Sequence, residues 1–272
     1  MRKFLLFLFL ISFISSAHSE LKIKIQKAEI GALPIIISIK GDSEIFSSKN
    51  FSSIIENDLY GSGYFNILDS SKIKTSIKNT NTQYALWTLA GANFLLKASI
   101  IRDEEYEFIK FNLHDVVKKN IMFSYKIRLS KKSSERKIAH TISNLIFEEI
   151  TGIKGVFDTK IAYISTENKE NRKIYKLHVA DIDGFNSVAI YKSSKQLMSP
   201  TWSPKNDKIA YVSFENNRPE IFIQTLATGE RKKLLEGNNS NSAPAWSPDG
   251  KFIAYTSSVK GNLEIFIYSI LE

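Results

Sequence analysis

"SAPAWSPDGKFIAY" (Ser242 to Tyr255) repeats an earlier stretch of the same chain, "MSPTWSPKNDKIAY" (Met198 to Tyr211), and the two copies lie 44 residues apart. When residues 199–223 are aligned with residues 243–267, 12 of 25 positions are identical and no gap is needed. A period of roughly 40–45 residues is typical of four-stranded propeller blades, but helical solenoids have similar periods. The pattern inside the repeat must therefore decide between them.

That internal pattern indicates strands. The runs Ile253 to Thr256 and Glu264 to Ile267 are short and rich in β-branched and aromatic residues, as strands are. Between Trp246 and the first run stands Ser247-Pro248-Asp249-Gly250. Proline presets φ for the first corner of a turn, and Asp-Gly tolerates the conformations of the later corners. The stretch predicts a strand that ends at Trp246, a turn, and a second strand that returns from Phe252.

The other two copies of the repeat differ from this one in their turn or in their number of strands. The earlier full copy keeps the proline of the turn, Pro204, but has Asn206 where the later copy has Gly250, so we expect a weaker version of the same hairpin. A partial copy begins at Lys160-Ile161-Ala162-Tyr163 and has no Trp-Ser-Pro strand before it. We therefore expect a first blade with strands two to four, a second with all four, and a third with the first three. These blades should span about 158–195, 196–238 and 239–272.

The first nineteen residues have the pattern of a secretory signal peptide. Arg2 and Lys3 precede an apolar run, Phe4 to Ile14, and Ala17-His18-Ser19 places small residues before a cleavage site. An apolar run of this length is too short to span a bilayer stably. We expect residues 1–19 to be removed and the mature chain to begin at Glu20 in the periplasm, with no later membrane span.

Residues 20–151 predict a small α/β domain, and residues 152–272 a partial propeller. Leu33 to Ile39 is a continuous apolar run, as in a buried strand. Ser134 to Ile150 has apolar residues at helical spacing and stops before Gly152. Between them we expect helices at 51–59 and 84–90, and strands at 64–68, 94–101, 106–117 and 121–129.

No constellation of residues predicts catalysis. The chain has no cysteine, and its four histidines, His18, His114, His140 and His178, are isolated in the sequence, without the spacing of metal ligands. Gly61-Ser62-Gly63 ends a predicted helix and lacks the Gly-x-Ser-x-Gly of a hydrolase nucleophile. Trp202 and Trp246 are expected to pack blade against blade. We expect no enzyme activity, no metal and no cofactor.

The formal net charge of +9 raises the question of an anionic partner. The positive residues are scattered lysines among Ile, Asn and Ser, with no arginine stripe and no interleaved aromatic motif. We interpret this charge as compositional bias, and we expect no nucleic-acid partner.

The order of signal peptide, α/β domain and Trp-Ser-Pro-Asp-Gly blades resembles the TolB family, periplasmic propeller proteins of the Tol–Pal system. The resemblance is specific at the join, Thr151 to Phe157, and continues at Ile161-Ala162-Tyr163, Asp181 to Gly184, Leu197 to Pro200 and Ile223 to Ala227. The fold class it implies is an α/β N-terminal domain followed by an incomplete all-β propeller of WD40-like (PD40) repeats. Members of the family carry six blades, whereas this chain reaches about two and a half.

The resemblance implies a non-enzymatic function in binding. Family members link TolA to the lipoprotein Pal and thereby maintain outer-membrane integrity and assist envelope constriction during cell division. The family's TolA-binding segment corresponds here to Glu20, Leu21, Lys22, Ile23, Lys24, Ile25 and Gln26. An alternating terminal strand of this kind can add to the sheet edge of a partner, or it can add an edge strand to its own domain. Pal docks on the propeller mouth, which corresponds to Ser199, Asn241, Ser242 and Ala243.

Three alternatives remain beside this interpretation. Similar blades occur in serine peptidases of the prolyl oligopeptidase type, but those need a hydrolase domain. A periplasmic propeller that binds a small ligand or a glycan is the second alternative. The third is an inactive TolB fragment, because fewer than six blades are expected to leave the ring open, with bare sheet edges and exposed apolar faces.

Overall fold

The computed structural model describes residues 31–42, 46–69, 84–102, 105–130, 134–169 and 172–270. The predicted signal peptide and the predicted TolA-binding segment, residues 20–26, lie outside the described residues. The first domain is built on a five-stranded sheet in the order β2-β1-β3-β4-β5. Its strands are β1 (Leu33–Lys40), β2 (Phe65–Ile67), β3 (Phe94–Arg102), β4 (Glu107–Asp115) and β5 (Asn120–Leu129). β1 is parallel to both of its neighbours, and β3, β4 and β5 form an antiparallel meander.

In the part of the chain that the structure describes, three helices flank this sheet: α1 (Ser48–Gly61), α2 (Tyr84–Leu89) and α3 (Glu135–Thr151). α1 and α3 pack on one face, where Ile35 of β1, Ile55 of α1 and Ile142 of α3 belong to one buried apolar cluster. Burial of each such side chain stabilises the fold by about 1.5–3 kcal/mol. α2 lies on the other face, where Trp87 packs with Leu95 and covers only part of the sheet.

Residues 152–159 join the domains and pack against α3. The helix begins after Ser134, whose hydroxyl accepts a hydrogen bond from the Lys137 amide at 3.3 Å, and ends at Gly152 with φ of +70°. This is the glycine cap expected from the sequence. Phe157 is buried in the cluster beneath α1 and α3, so the connection is part of the first domain's core.

Three sheets follow, with three, four and three strands, as the repeat predicts. The first blade holds β6 (Lys160–Lys169), β7 (Arg172–Asp181) and β8 (Val188–Ser193). The second holds β9 (Leu197–Trp202), β10 (Lys208–Ser213), β11 (Glu220–Thr225) and β12 (Arg231–Lys233). The third holds β13 (Asn241–Trp246), β14 (Phe252–Ser257) and β15 (Glu264–Ser269). The described sheets do not close a ring, which confirms the expected incomplete propeller.

The hairpin after each tryptophan has the same backbone in both full copies. Gly250 has a φ of +73°, and Asn206, its counterpart 44 residues earlier, has a φ of +57°. Asparagine is one of the residues that tolerates this left-handed conformation. The earlier copy therefore forms the predicted turn although it lacks the glycine.

Apolar clusters between successive sheets hold the blades together. Trp202 packs on the cluster shared by the first and second blades, which includes Leu177 and Tyr211. Trp246 packs on the cluster shared by the second and third blades, which includes Ile221 and Ile253. The two tryptophans therefore occupy the blade-packing positions that the sequence indicated.

Candidate partner-binding site

The four residues aligned with the propeller mouth lie on two contacting strands. Ser199 belongs to β9 and Asn241, Ser242 and Ala243 belong to β13, the first strands of the second and third blades. β9 and β13 contact each other. The fold therefore brings together residues that are more than forty positions apart in the sequence.

Both strands carry a bulge at the same place. Ser199 has a φ of +50° and Ala243 a φ of +52°, and neither is a glycine. In each strand two residues, the second of them a proline, stand opposite a single residue of the neighbouring strand. A left-handed residue other than glycine costs roughly 1–2 kcal/mol, and bulges of this kind re-aim side chains at functional sites. Ser199 and Ala243 are both exposed.

Ser242 and Asn241 hold the bulge of β13 in place. The Ser242 hydroxyl lies 2.8 Å from the Thr256 hydroxyl of β14. Asn241 is buried. Its backbone N–H donates to the Pro219 carbonyl of the second blade at 2.8 Å, and its side-chain Nδ2 donates to the Asn239 carbonyl at 3.2 Å. Ser199, Ser242 and Ala243 can thus meet a partner directly, whereas Asn241 supports their geometry.

A buried carboxylate anchors the segment on which Asn241 rests. Glu220 follows Pro219, and its Oε1 accepts from Arg218 Nε and from Lys233 Nζ, each at 3.0 Å. Burial opposes its ionisation, but the hydrogen bonds from Lys233 and Asn216 and the nearby positive charges outweigh burial and lower the pKa of Glu220. The carboxylate is therefore charged at neutral pH and locks the loop before β13.

Sequence reasoning missed one exposed residue of this surface. Met198 precedes the bulge of β9 and is exposed, and a flexible thioether is well suited to an adaptable contact. Its counterpart in the later copy is Ser242. The 44-residue equivalence of Met198 and Ser242 is the one signal that could have added it to the site.

A second feature that the sequence did not indicate is a polar joint between the domains. Arg136 of α3 binds Asp183 in the turn after β7, lies 3.8 Å from Asp181, and places its guanidinium 4.0 Å from the centre of the Phe185 ring. Lys160 also binds Asp181, at 2.8 Å. These contacts connect the first domain to the first blade.

The pKa values of both aspartates reflect this joint. Burial, the largest single influence, would raise the pKa of each carboxyl. Hydrogen bonds from Lys160 and Asn186 to Asp181, and from Arg136 and the Phe185 amide to Asp183, together with nearby positive charges outweigh it, so both pKa values are lowered. Both groups are therefore charged at neutral pH, and the joint is intact there.

The described histidines serve local structure. His140 Nδ1 lies 2.7 Å from Asp58 in the first domain's interior, His114 contacts the Tyr84 hydroxyl at 3.0 Å, and His178 stacks on Tyr163. Within the described residues no group of three or more His, Cys, Asp or Glu side chains could hold a metal ion. Among the same residues, no helix combines the length and the apolar character needed to cross a membrane.

Comparison with known proteins identifies relatives of both domains. The family described as "TolB amino-terminal domain" matches residues 21–122, and the family described as "TolB beta propeller domain" matches residues 147–272. The Tol-Pal system protein TolB of Hydrogenovibrio crunogenus is 36% identical over 234 residues, which are 84% of this chain and 54% of that protein. The Tol-Pal system protein TolB of Coxiella burnetii is 36% identical over 245 residues, 86% of this chain and 55% of that protein.

A solved structure matches the architecture as well as the sequence. The crystal structure of TolB from Acinetobacter baumannii superposes with a TM-score of 0.74 at 32% identity, and the match covers 88% of this chain and 58% of that one. The chain thus spans about half the length of the curated relatives it matches.

Proposed function

The chain belongs to the TolB family, and we propose that it is a non-enzymatic periplasmic protein of the Tol–Pal system that links TolA and Pal. In this role it maintains outer-membrane integrity and assists envelope constriction during cell division. The observation that supports the proposal best is the pair of equivalent bulges at Ser199 and Ala243. Two adjacent strands keep exposed, left-handed residues at aligned positions, and backbone strain of this kind concentrates at sites of recognition.

Pal is proposed to bind the surface formed by Ser199, Ser242 and Ala243, which we call the bulge surface. Replacing Ala243 with arginine puts a large charged side chain at its centre. A disturbance at the centre of an interface typically costs about 2 kcal/mol or more, which corresponds to roughly a 30-fold rise in Kd. Calorimetric titration of the full chain with soluble Pal measures this change.

Ala227 provides the matched control, because it is exposed in the turn between β11 and β12, away from the bulge surface. Ala227→Arg makes the same chemical change and should leave the Kd for Pal unaltered. If Ala243→Arg binds Pal as tightly as Ala227→Arg does, the bulge surface is not the Pal site.

TolA is proposed to bind residues 20–26 by strand addition. Ile23 and Ile25 alternate with Lys22 and Lys24, so one face of an added strand is apolar. Ile23→Asp with Ile25→Asp should abolish pull-down by the C-terminal domain of TolA, whereas Lys22→Ser with Lys24→Ser should not.

The same variants separate the two roles of the segment that the sequence leaves open. If the isoleucine double variant loses TolA and keeps the wild-type unfolding temperature, the segment serves the partner. If it retains TolA but unfolds at a lower temperature, the segment is an edge strand of its own domain, and the TolA assignment is wrong.

A further inference from the structure

The second face of the five-stranded sheet carries a cluster of positive charges. α1 and α3 cover the first face, and α2 covers the second face only around Ile36 and Leu95. Farther from α2, the second face bears Lys40 on β1, Lys97 on β3, Lys110 on β4, and Lys126 and Arg128 on β5. All of these except the half-buried Lys97 are exposed. We call this set of five the basic face.

Strand register places these cations in a two-dimensional array. Lys40, Ser99, Lys110 and Lys126 pair in succession and form one row across four strands. The next row towards α2 contains Lys97, and the row on the other side contains Arg128. Neighbouring strands are about 4.8 Å apart and alternate residues about 6.7 Å apart. The array therefore covers an area of about 14 Å by about 13 Å.

Among the described residues, no acidic side chain stands within the three rows of the array. None of the ion pairs formed among the described residues includes any of the five cations. Lys110 and Lys126 stand directly opposite each other, and like charges in that position destabilise a sheet. An external anion would relieve this repulsion.

Apolar and aromatic side chains lie beside the cations. Ile101 and Phe108 pair in the row that contains Arg128, and Ile101 is 37% exposed. The Lys126 ammonium sits 3.5 Å from the centre of the Phe108 ring, and the Arg128 guanidinium sits 3.3 Å from the centre of the Tyr106 ring. The aromatic rings thus support the cations on this face.

We propose that the basic face docks on the surface of an anionic phospholipid bilayer. A bilayer presents a plane of phosphates, which matches cations spread over two dimensions, and it accepts partly exposed apolar side chains such as Ile101. A single-stranded nucleic acid instead tracks a groove and stacks its bases on free aromatic rings. Here lysine and arginine already cover the rings of Phe108 and Tyr106. This contact uses residues other than those proposed to bind TolA and Pal.

Co-sedimentation of the full chain with vesicles tests the proposal. Binding should occur with vesicles of equal parts phosphatidylglycerol and phosphatidylcholine, weaken in high salt, and be absent with phosphatidylcholine alone. Each basic residue near an anionic surface contributes about 1 kcal/mol, a factor of about 5 in affinity. Lys110→Thr with Lys126→Thr should therefore weaken binding about 25-fold. Threonine favours strands and removes the repulsion, so the variant should fold at least as stably as the wild type.

The matched control is Lys154→Thr with Lys232→Thr, which removes two exposed lysines elsewhere and should bind vesicles as the wild type does. Three results would overturn the proposal. One is equal binding to neutral and anionic vesicles, and another is equal binding by the Lys110/Lys126 variant and the control variant. The third is tighter binding to a single-stranded oligonucleotide than to anionic vesicles, which would assign the face to nucleic acid.

Discussion

Replacing Gly155 with alanine should loosen the connection between the two domains. A Cβ on residue 155 would lie 2.7 Å from Asn144 Cα and would also collide with Asn144 Oδ1. The α3 backbone at Asn144 cannot move aside as the tip of a flexible side chain could. Overpacking of this kind costs about 1–3 kcal/mol.

Asn144 also makes two hydrogen bonds to the segment that joins the domains. Its Oδ1 accepts from the Phe157 amide at 2.8 Å, and its Nδ2 donates to Asp158 at 2.7 Å. Loss of the first bond would add roughly 1 kcal/mol. With a urea dependence of about 1–3 kcal/mol per molar, the midpoint for the first domain should fall by about 1 M. Far-UV circular dichroism in increasing urea measures this unfolding midpoint. Limited proteolysis should show faster cleavage within residues 152–159.

Gly61 supplies the control for this measurement. It ends α1, no heavy atom lies within 4 Å of the Cβ that alanine would add, and its φ is not in the left-handed region. Gly61→Ala should leave the midpoint unchanged or raise it slightly, since alanine is the better helix residue. Equal midpoints for the Gly155 and Gly61 variants would show that the connection does not pack on α3.

Three further predictions concern processing, exposed blade edges and pH. N-terminal sequencing of exported protein should give Glu20 as the first residue, and an uncleaved Met1 would contradict the signal-peptide assignment. The 272-residue chain should self-associate in light scattering, because Ile265 and Ile267 of β15 are 78% and 72% exposed. Lysine at both positions should reduce this association. Limited proteolysis should leave the α/β domain as a core of roughly 130 residues. The lowered pKa of Asp183 means that its contribution is complete above the unfolded value of 3.8 and is lost as pH falls through the folded pKa. Protease protection of the joint should therefore hold at pH 7 and disappear in strong acid, whereas Asp183→Asn should weaken protection at pH 7 and match the wild type in strong acid.

The parts of the fold that could be read from the sequence are those encoded locally. The strand, turn and strand around Trp246 occupy residues 241–257 and repeat an earlier stretch of the chain, so the pattern is not a chance similarity. The helices were located to within three residues. The helix predicted at 51–59 begins at Ser48, because its first turn is polar and gives no periodic signal.

The bulge surface was found through alignment with a family and not through its physical chemistry. Nothing in serine or alanine predicts a positive φ, since both residues disfavour it. The strain at Ser199 and Ala243 exists because the surrounding blades fix the backbone there, and that information lies in contacts between strands.

The basic face also could not be predicted from local sequence. Lys40 and Arg128 are 88 positions apart, and the five cations come from four strands, so their common face depends on register, which composition does not contain. The net charge was therefore interpreted as a bias of composition. The repulsion between Lys110 and Lys126 becomes visible only when the register places them opposite each other.

The polar joint at Arg136 and the packing of residues 152–159 on Asn144 connect the two domains that carry the proposed surfaces. The basic face belongs to the first domain and the bulge surface to the propeller. When the basic face is bound to a bilayer, the joint therefore fixes the angle at which the bulge surface faces Pal. Binding at two linked sites gains affinity only when the geometry allows both contacts at once. Gly155→Ala changes neither surface. If both proposals hold, this variant should bind vesicles alone and Pal alone as the wild type does, yet bind more weakly to vesicles that carry Pal.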